Sequence, residues 1–116
     1  MFNVAIIGAS GASNYATFKE RCIYYLKQKA KEGITIFTIE ENDYIERFAS
    51  EFRINTRLVM PDWYSYGKSA LIERNKTVIS LCSALISFED GRKDTKILKK
   101  MAEEAGLPVR FVKRTT

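Results

Sequence analysis

The chain contains no histidine and only two cysteines, Cys22 and Cys82, among its 116 residues. Without histidine, zinc sites built from cysteine and histidine are excluded, as are catalytic cysteine–histidine pairs, and we expect neither a metal nor a cofactor. Both cysteines fall on the apolar side of helical patterns, which predicts that they are buried free thiols.

The sequence also lacks an apolar run of about 18 residues or more, the minimum for a membrane-spanning helix. Its first residues, MFNVAIIGAS, enter a strand pattern directly, without the basic segment or cleavage-like site of a secretory leader. We therefore expect a cytoplasmic protein with no membrane partner.

Charge and composition indicate one basic domain spanning residues 1–116. Hydrophobic residues make up 46% of the chain, which is ample for a single core. The net charge of +5 favours an anionic partner, either nucleic acid or a phosphorylated small molecule. The alternative is that the surplus charge only keeps the protein in solution.

Short apolar runs alternate with amphipathic segments along the whole chain. This alternation predicts a five-stranded parallel sheet with four intervening helices, because parallel strands need crossover connections. The predicted fold is an α/β, Rossmann-like three-layer sandwich. Its strands are expected near residues 3–8, 34–39, 56–60, 84–88 and 109–112.

In such sheets the ligand crevice lies beyond the carboxyl ends of the strands. After the first strand, Gly8, Ser10 and Gly11 precede a helix whose N-terminal amides suit a phosphate, although a tight strand-to-helix turn explains the same spacing. This position makes the loop a candidate part of the binding site.

The loop after the fourth strand, EDGRKDT, offers a second candidate. Gly91, Arg92, Lys93 and Thr95 are placed to hold phosphate oxygens. The same residues also fit a solvated turn capped by Asp94, which would compete with a phosphate for the helix amides.

The stretch PDWYSYGKSALIERN resembles the YspA-like branch of the SLOG superfamily, a Rossmann-like group that includes the LOG phosphoribohydrolases and DprA. The loop GASGASNY and the ending GLPVRFV extend the resemblance over nearly the whole chain. The stretch matches the motif of that branch at Asp62, Trp63, Tyr66, Gly67, Lys68, Ala70, Arg74 and Asn75.

The resemblance implies that this stretch forms the wall of a nucleotide-type pocket. Trp63 or Tyr66 would face a base or ribose, Lys68 and Arg74 would supply charge, and Asn75 would supply hydrogen bonds. The alternative is that the two aromatic residues plug the sheet edge and that Arg74 and Asn75 stabilise the loop from inside the helix.

The chain departs from that family where glycine-rich loops approach the ligand. Ser10 stands where the family has an arginine, and the segment IEENDYIERFA, at the position of the family's second glycine-rich loop, contains no glycine. In the fourth loop only Gly91 remains, and Asp94 stands at the position of the family's threonine. We therefore expect weak or moderate binding of an anionic nucleotide-like molecule, without efficient catalysis.

Two other functions remain open. In an N-glycosidase or phosphoribohydrolase, an acidic residue would serve, the candidates being Glu40, Glu41, Asp43 and Glu73. A nucleic-acid or protein interaction module is less favoured, because the lysines are spread along the chain. The resemblance also implies a homodimer, because SLOG domains generally pair through helices that flank the pocket, and Ile72 and Ile79 share one side of the third helix. The alternative is that this apolar side packs on another helix of the same chain.

Overall fold

The computed structural model describes residues 1–114 and confirms the predicted α/β fold. Within these residues all five predicted strands and the four predicted long helices are present, and a single-turn helix is added inside the aromatic stretch. The strands are β1 (Phe2–Ile7), β2 (Ile34–Thr38), β3 (Asn55–Leu58), β4 (Ala84–Phe88) and β5 (Val109–Val112). The helices are α1 (Tyr15–Leu26), α2 (Asp43–Phe52), α3 (Trp63–Tyr66), α4 (Ala70–Leu81) and α5 (Lys93–Glu104).

The strands form one parallel sheet in the order β3-β2-β1-β4-β5. At the centre, Val4 of β1 pairs in register with Ile36 of β2 and with Ala84 of β4. The chain moves outward from β1 to β3 and then returns to the other side of β1 for β4. The strand order therefore reverses between β1 and β4, and the crevice of such a sheet lies at the carboxyl ends of these two strands.

Helices cover both faces of the sheet because β1 buries alternate residues in opposite directions. Val4 and Ile6 join the core under α1 and α2, together with Phe18, whose ring stacks on that of Phe88 with centroids 5.1 Å apart. Ala5 and Ile7 join the core under α4 and α5.

Both cysteines are buried and free, as predicted, Cys22 in the first of these cores and Cys82 in the second. Burial raises the pKa of the Cys82 thiol to about 12 and that of Cys22 further still, so both thiols stay protonated at neutral pH.

Several local expectations need correction. The helical spacing of Ile45, Phe48, Ala49 and Phe52 predicts one face of α2, but Phe52 is exposed at the end of that helix. The sequence also predicts that the first helix stops at Gly33, whereas α1 ends at Leu26 and continues as a 3-10 segment, Lys27–Glu32. Ile72 is exposed whereas Ile79 packs against the core, so the two do not form a continuous apolar stripe for a partner.

None of the helices within residues 1–114 combines the length and the apolar character needed to cross a membrane. In the same part of the chain, no three cysteine, aspartate or glutamate residues are grouped so that they could hold a metal ion.

Candidate functional site

The loops after β1 and β4 lie in direct contact at the point where the strand order reverses. Gly8 has a positive φ of 72°, and a Cβ atom there would lie 2.1 Å from the carbonyl oxygen of Phe88. A Cβ on Gly11 would lie 2.0 Å from the carbonyl oxygen of Glu89. The two glycines are thus required for backbone packing, while Ser10 between them is exposed.

Helix α1 begins directly behind this loop. Asn14 caps the helix by accepting a hydrogen bond from the Thr17 amide at 2.8 Å. The first turn of α1 contains no acidic side chain, so its partial positive charge is not neutralised locally. The N-terminal end of α1, which follows this loop, therefore favours negative charge.

In the loop after β4, Asp90 organises the backbone. One carboxylate oxygen, Oδ1, lies 2.6 Å from the Thr95 hydroxyl and accepts from the Arg92 amide at 3.0 Å. Thr95 is buried, so its hydroxyl is used inside the protein. The other oxygen of Asp90, Oδ2, is buried with no hydrogen-bond donor among residues 1–114. Gly91, the next residue of the loop, has a positive φ of 77°.

A salt bridge crosses the carboxyl edge of the sheet. Nη1 of Arg92, in the loop after β4, lies 2.5 Å from Oε2 of Glu40, in the loop after β2. Because β1 lies between these two strands, the pair spans the end of β1. The hydrogen bond to Glu40 raises the pKa of Arg92 further. The side chains are 47% and 31% exposed, so water screens the pair and its net stabilisation is small.

Arg74 and Asn75 lie inside the protein, between α4 and α5. The Arg74 guanidinium donates to Oδ1 of Asn75 from Nε at 3.2 Å and from Nη2 at 3.0 Å. It also pairs with Asp94 in the first turn of α5, with Nη2 2.7 Å from Oδ1. The Arg74 side chain is only 4% exposed. Both side chains therefore have their partners inside the protein, on α4 and α5.

The aromatic stretch folds as a turn held by its own hydrogen bonds. Asp62 caps α3 by accepting from the Ser65 amide at 3.0 Å, and this hydrogen bond lowers the pKa of the Asp62 carboxyl. Gly67, with a φ of 51°, ends the helix, and the Ser69 hydroxyl donates to the Tyr66 carbonyl at 2.9 Å. The backbone of the turn is thus fixed without help from its large side chains.

Those large side chains point into solvent. Trp63 is 56% exposed, Tyr66 is 51% exposed and Tyr64 is fully exposed. Lys68 is also exposed and makes no salt bridge within the part of the chain that the structure describes. Exposure of this extent does not fit residues that plug the sheet edge. It leaves two aromatic faces and one cation available at the carboxyl end of β3.

The carboxylates considered for catalysis are poorly placed for it. Glu40 is held by the arginine described above, and Glu73 lies 3.2 Å from Lys76, one helical turn away. Glu41 and Asp43 are exposed. None of these four carboxylates therefore has an environment that marks it as a general acid or base.

The twelve predicted site residues fall into three groups: an exposed aromatic turn, a switch-point loop pair and a buried core pair. Trp63, Tyr66, Gly67 and Lys68 belong to the exposed turn. Gly8, Ser10, Gly11, Gly91, Arg92 and Thr95 belong to the touching loops. Arg74 and Asn75 form the buried pair.

Sequence reasoning missed the partners of the two arginines. Glu40 could not be paired with Arg92 because 52 residues separate them in the chain. The sequence does indicate that Arg74 is buried, because Ala70, Arg74 and Val78 recur at a spacing of four and therefore share the inner face of α4.

The fold and these loops define a small parallel α/β domain with an exposed aromatic turn and a salt bridge between Arg92 and Glu40 at the carboxyl edge of its sheet. Comparisons with models of known protein families, with curated proteins and with solved structures found no match to this chain. The resemblance to the SLOG superfamily therefore stays a prediction.

Proposed function

We propose that the protein binds an anionic, nucleotide-like small molecule at the carboxyl edge of its sheet, without efficient catalysis. The observation that carries this proposal is the exposure of Trp63 and Tyr66 on a turn that is held by its own hydrogen bonds, beside Lys68, which makes no salt bridge within residues 1–114. A base or ribose stacked on one ring would gain about 1–3 kcal/mol, as aromatic platforms for nucleic-acid bases do.

The proposed position of the phosphate is the surface beside Arg92, where the loops after β1 and β4 meet. Arg92 is the cation for this role, because its exposed pair with Glu40 contributes only about 0–1 kcal/mol and a phosphate can replace the carboxylate. Arg74 is not available, since removing a buried arginine from its partner costs about 3–5 kcal/mol. Ser10 and the first turn of α1 would complete the anion site.

Weak binding is expected because the arginine of the proposed phosphate site is already paired with a glutamate. Glu40 competes with the phosphate for Arg92, and Glu41 adds negative charge beside it. The strands that carry the aromatic turn and the loop of Gly8 are two positions apart in the sheet, which corresponds to about 10 Å. A ligand with separated aromatic and anionic ends fits this spacing better than inorganic phosphate alone.

Calorimetric titration of the protein with AMP, adenosine and inorganic phosphate tests the proposal. We expect saturable binding of AMP, weaker binding of the other two, and a loss of about tenfold or more in AMP affinity in Trp63→Ala. Tyr24→Ala removes an equally exposed aromatic side chain from α1 and is the matched control, for which no loss is expected. Equal AMP affinity in all three proteins would contradict the proposal.

Two further measurements distinguish the proposed function from an enzyme and from a nucleic-acid-binding module. Release of adenine from AMP at about 1 per second or faster would establish an enzyme and overturn the non-catalytic part of the proposal. Binding of a single-stranded oligonucleotide with strong salt dependence, in the absence of AMP binding, would identify a nucleic-acid platform instead.

A further inference from the structure

A cavity lies at the opposite edge of the sheet, where β2 and β3 begin. It is a groove of about 530 Å³ between the C-terminal ends of α1 and α2, and its volume falls in the range of small-molecule sites, about 300–1,000 Å³. Twelve residues line it, among them Ile23, Lys27, Phe48, Phe52, Arg53 and Ile54. No residue of the proposed nucleotide site belongs to this lining.

The lining of the groove is mostly apolar and includes two cationic residues. Ile23 and Phe52 are large apolar side chains that the fold leaves exposed along it, although each lies next to a buried core residue of its helix. Lys27 and Arg53 belong to the lining, which contains no aspartate or glutamate. Glu51, two residues before Arg53, is already paired with Lys19.

Arg53 occupies a backbone position that an arginine rarely adopts. It follows α2 with a φ of 53°, the left-handed conformation in which a helix usually ends on glycine or asparagine. Among residues 1–114 it is the one residue other than glycine with a positive φ. A long cationic side chain is thus held at the groove at the expense of local backbone strain.

We propose that this groove binds an amphiphile with an aliphatic chain and one anionic head group, such as a free medium-chain fatty carboxylate. The chain would lie along Ile23, Phe48 and Phe52, and the carboxylate would pair with Arg53 and Lys27 at the rim. A protein partner fits less well, because twelve lining residues are fewer than the about 20–30 that each side of a standard protein interface contributes.

Titration of the full chain with decanoate, followed by two-dimensional amide NMR, tests this site. We expect saturable shifts at groove residues such as Ile23 and Ile54, and an affinity that rises by up to about fourfold for each methylene from octanoate to decanoate. Decanol, which has the same chain and no charge, should bind at least about tenfold more weakly than decanoate.

Arg53→Asn removes the positive charge at the groove while keeping a residue that fits the left-handed backbone conformation. Asparagine tolerates the left-handed conformation, so this variant should unfold at an equal or higher urea concentration than the parent protein. Its affinity for decanoate should nevertheless fall about tenfold, with decanol binding unchanged. Lys100→Gln, which removes an exposed charge from α5, is the matched control and should leave both affinities unchanged.

Three results would overturn the proposal. One is the absence of saturable decanoate shifts at the groove, and another is equal affinity for decanoate in Arg53→Asn and the parent. The third is sedimentation of the protein as a dimer with groove amides protected from solvent, since a second copy would then be the occupant. AMP binding should be unaffected by Arg53→Asn, so failure here and failure of the proposed nucleotide site are distinguishable.

Discussion

Removing Asp94 should destabilise the protein strongly, because it leaves the Arg74 guanidinium buried without a counter-charge. Breaking a buried ion pair on one side costs about 3–5 kcal/mol. Arg74 is 4% exposed, but Asp94 is 26% exposed and Asn75 continues to accept from the guanidinium, so the lower end of the range applies. We expect Asp94→Ala to lower the free energy of unfolding by about 3 kcal/mol.

The measurement is urea denaturation followed by circular dichroism, with a control for the helix terminus. Asp94 lies in the first turn of α5, where a negative charge also stabilises the helix by about 0.3–1 kcal/mol through its interaction with the helix dipole. Asp43, exposed in the first turn of α2 and free of ion pairs within residues 1–114, experiences the dipole term alone. Asp43→Ala should therefore cost no more than about 1 kcal/mol.

A second substitution checks the cause. In the Asp94→Ala background, Arg74→Met removes the uncompensated charge and should restore part of the lost stability. The reasoning would be refuted if Asp94→Ala and Asp43→Ala differed by less than about 1 kcal/mol, or if Arg74→Met lowered the stability of Asp94→Ala further.

Three further predictions concern the aromatic turn, the crevice pair and the pH dependence. Trp63→Ala should change the free energy of unfolding by less than about 1 kcal/mol, against about 3–5 kcal/mol for Phe18→Ala, and a large loss in Trp63→Ala would mean that the ring is structural. Glu40→Gln should strengthen AMP binding by freeing Arg92, and calorimetry showing weaker binding would argue against a phosphate there. Partial burial and a hydrogen bond to a glutamate raise the pKa of Tyr15 from 10.0 to about 12, so stability present below pH 10 should be lost as the pH rises towards 12. Tyr15→Phe should lose less stability than the parent over that interval in urea denaturation at each pH, and an equal loss would contradict this reading.

Most of the fold could be predicted because strands and helices in this chain carry different apolar periods. The continuous apolar run Val4–Ile7 is typical of a strand buried on both faces, and Phe18, Cys22 and Leu26 recur at helical spacing. Periodicity alone therefore predicts that these residues are buried, as they are in the two cores. Phe52 has the spacing of the buried face of α2, but it is the last residue of that helix and its side chain is exposed. Periodicity assigns a residue to a helix face but does not say where along the helix the core ends.

The candidate site was less predictable because its geometry depends on contacts between distant loops. The glycines of the first loop resemble a phosphate-binding pattern, yet Gly8 and Gly11 are needed because the carbonyls of Phe88 and Glu89 lie directly against them. Likewise, a local sequence shows that Arg92 is charged but not that Glu40 already neutralises it. The sequence therefore indicated which loops meet, while the structure shows which side chains remain free.

The central claim is that the aromatic turn is the face on which a nucleotide binds, and Trp63 reports on it directly because it is the single tryptophan of the chain. Its emission should be excited at the red edge of its absorption, where AMP does not absorb, during titration with AMP and with ribose 5-phosphate. We expect a saturable change in Trp63 emission with AMP, with a lower midpoint in Glu40→Gln and a higher one in Lys68→Gln. A change that rises linearly without saturation, equal to that of free N-acetyltryptophanamide, would contradict it.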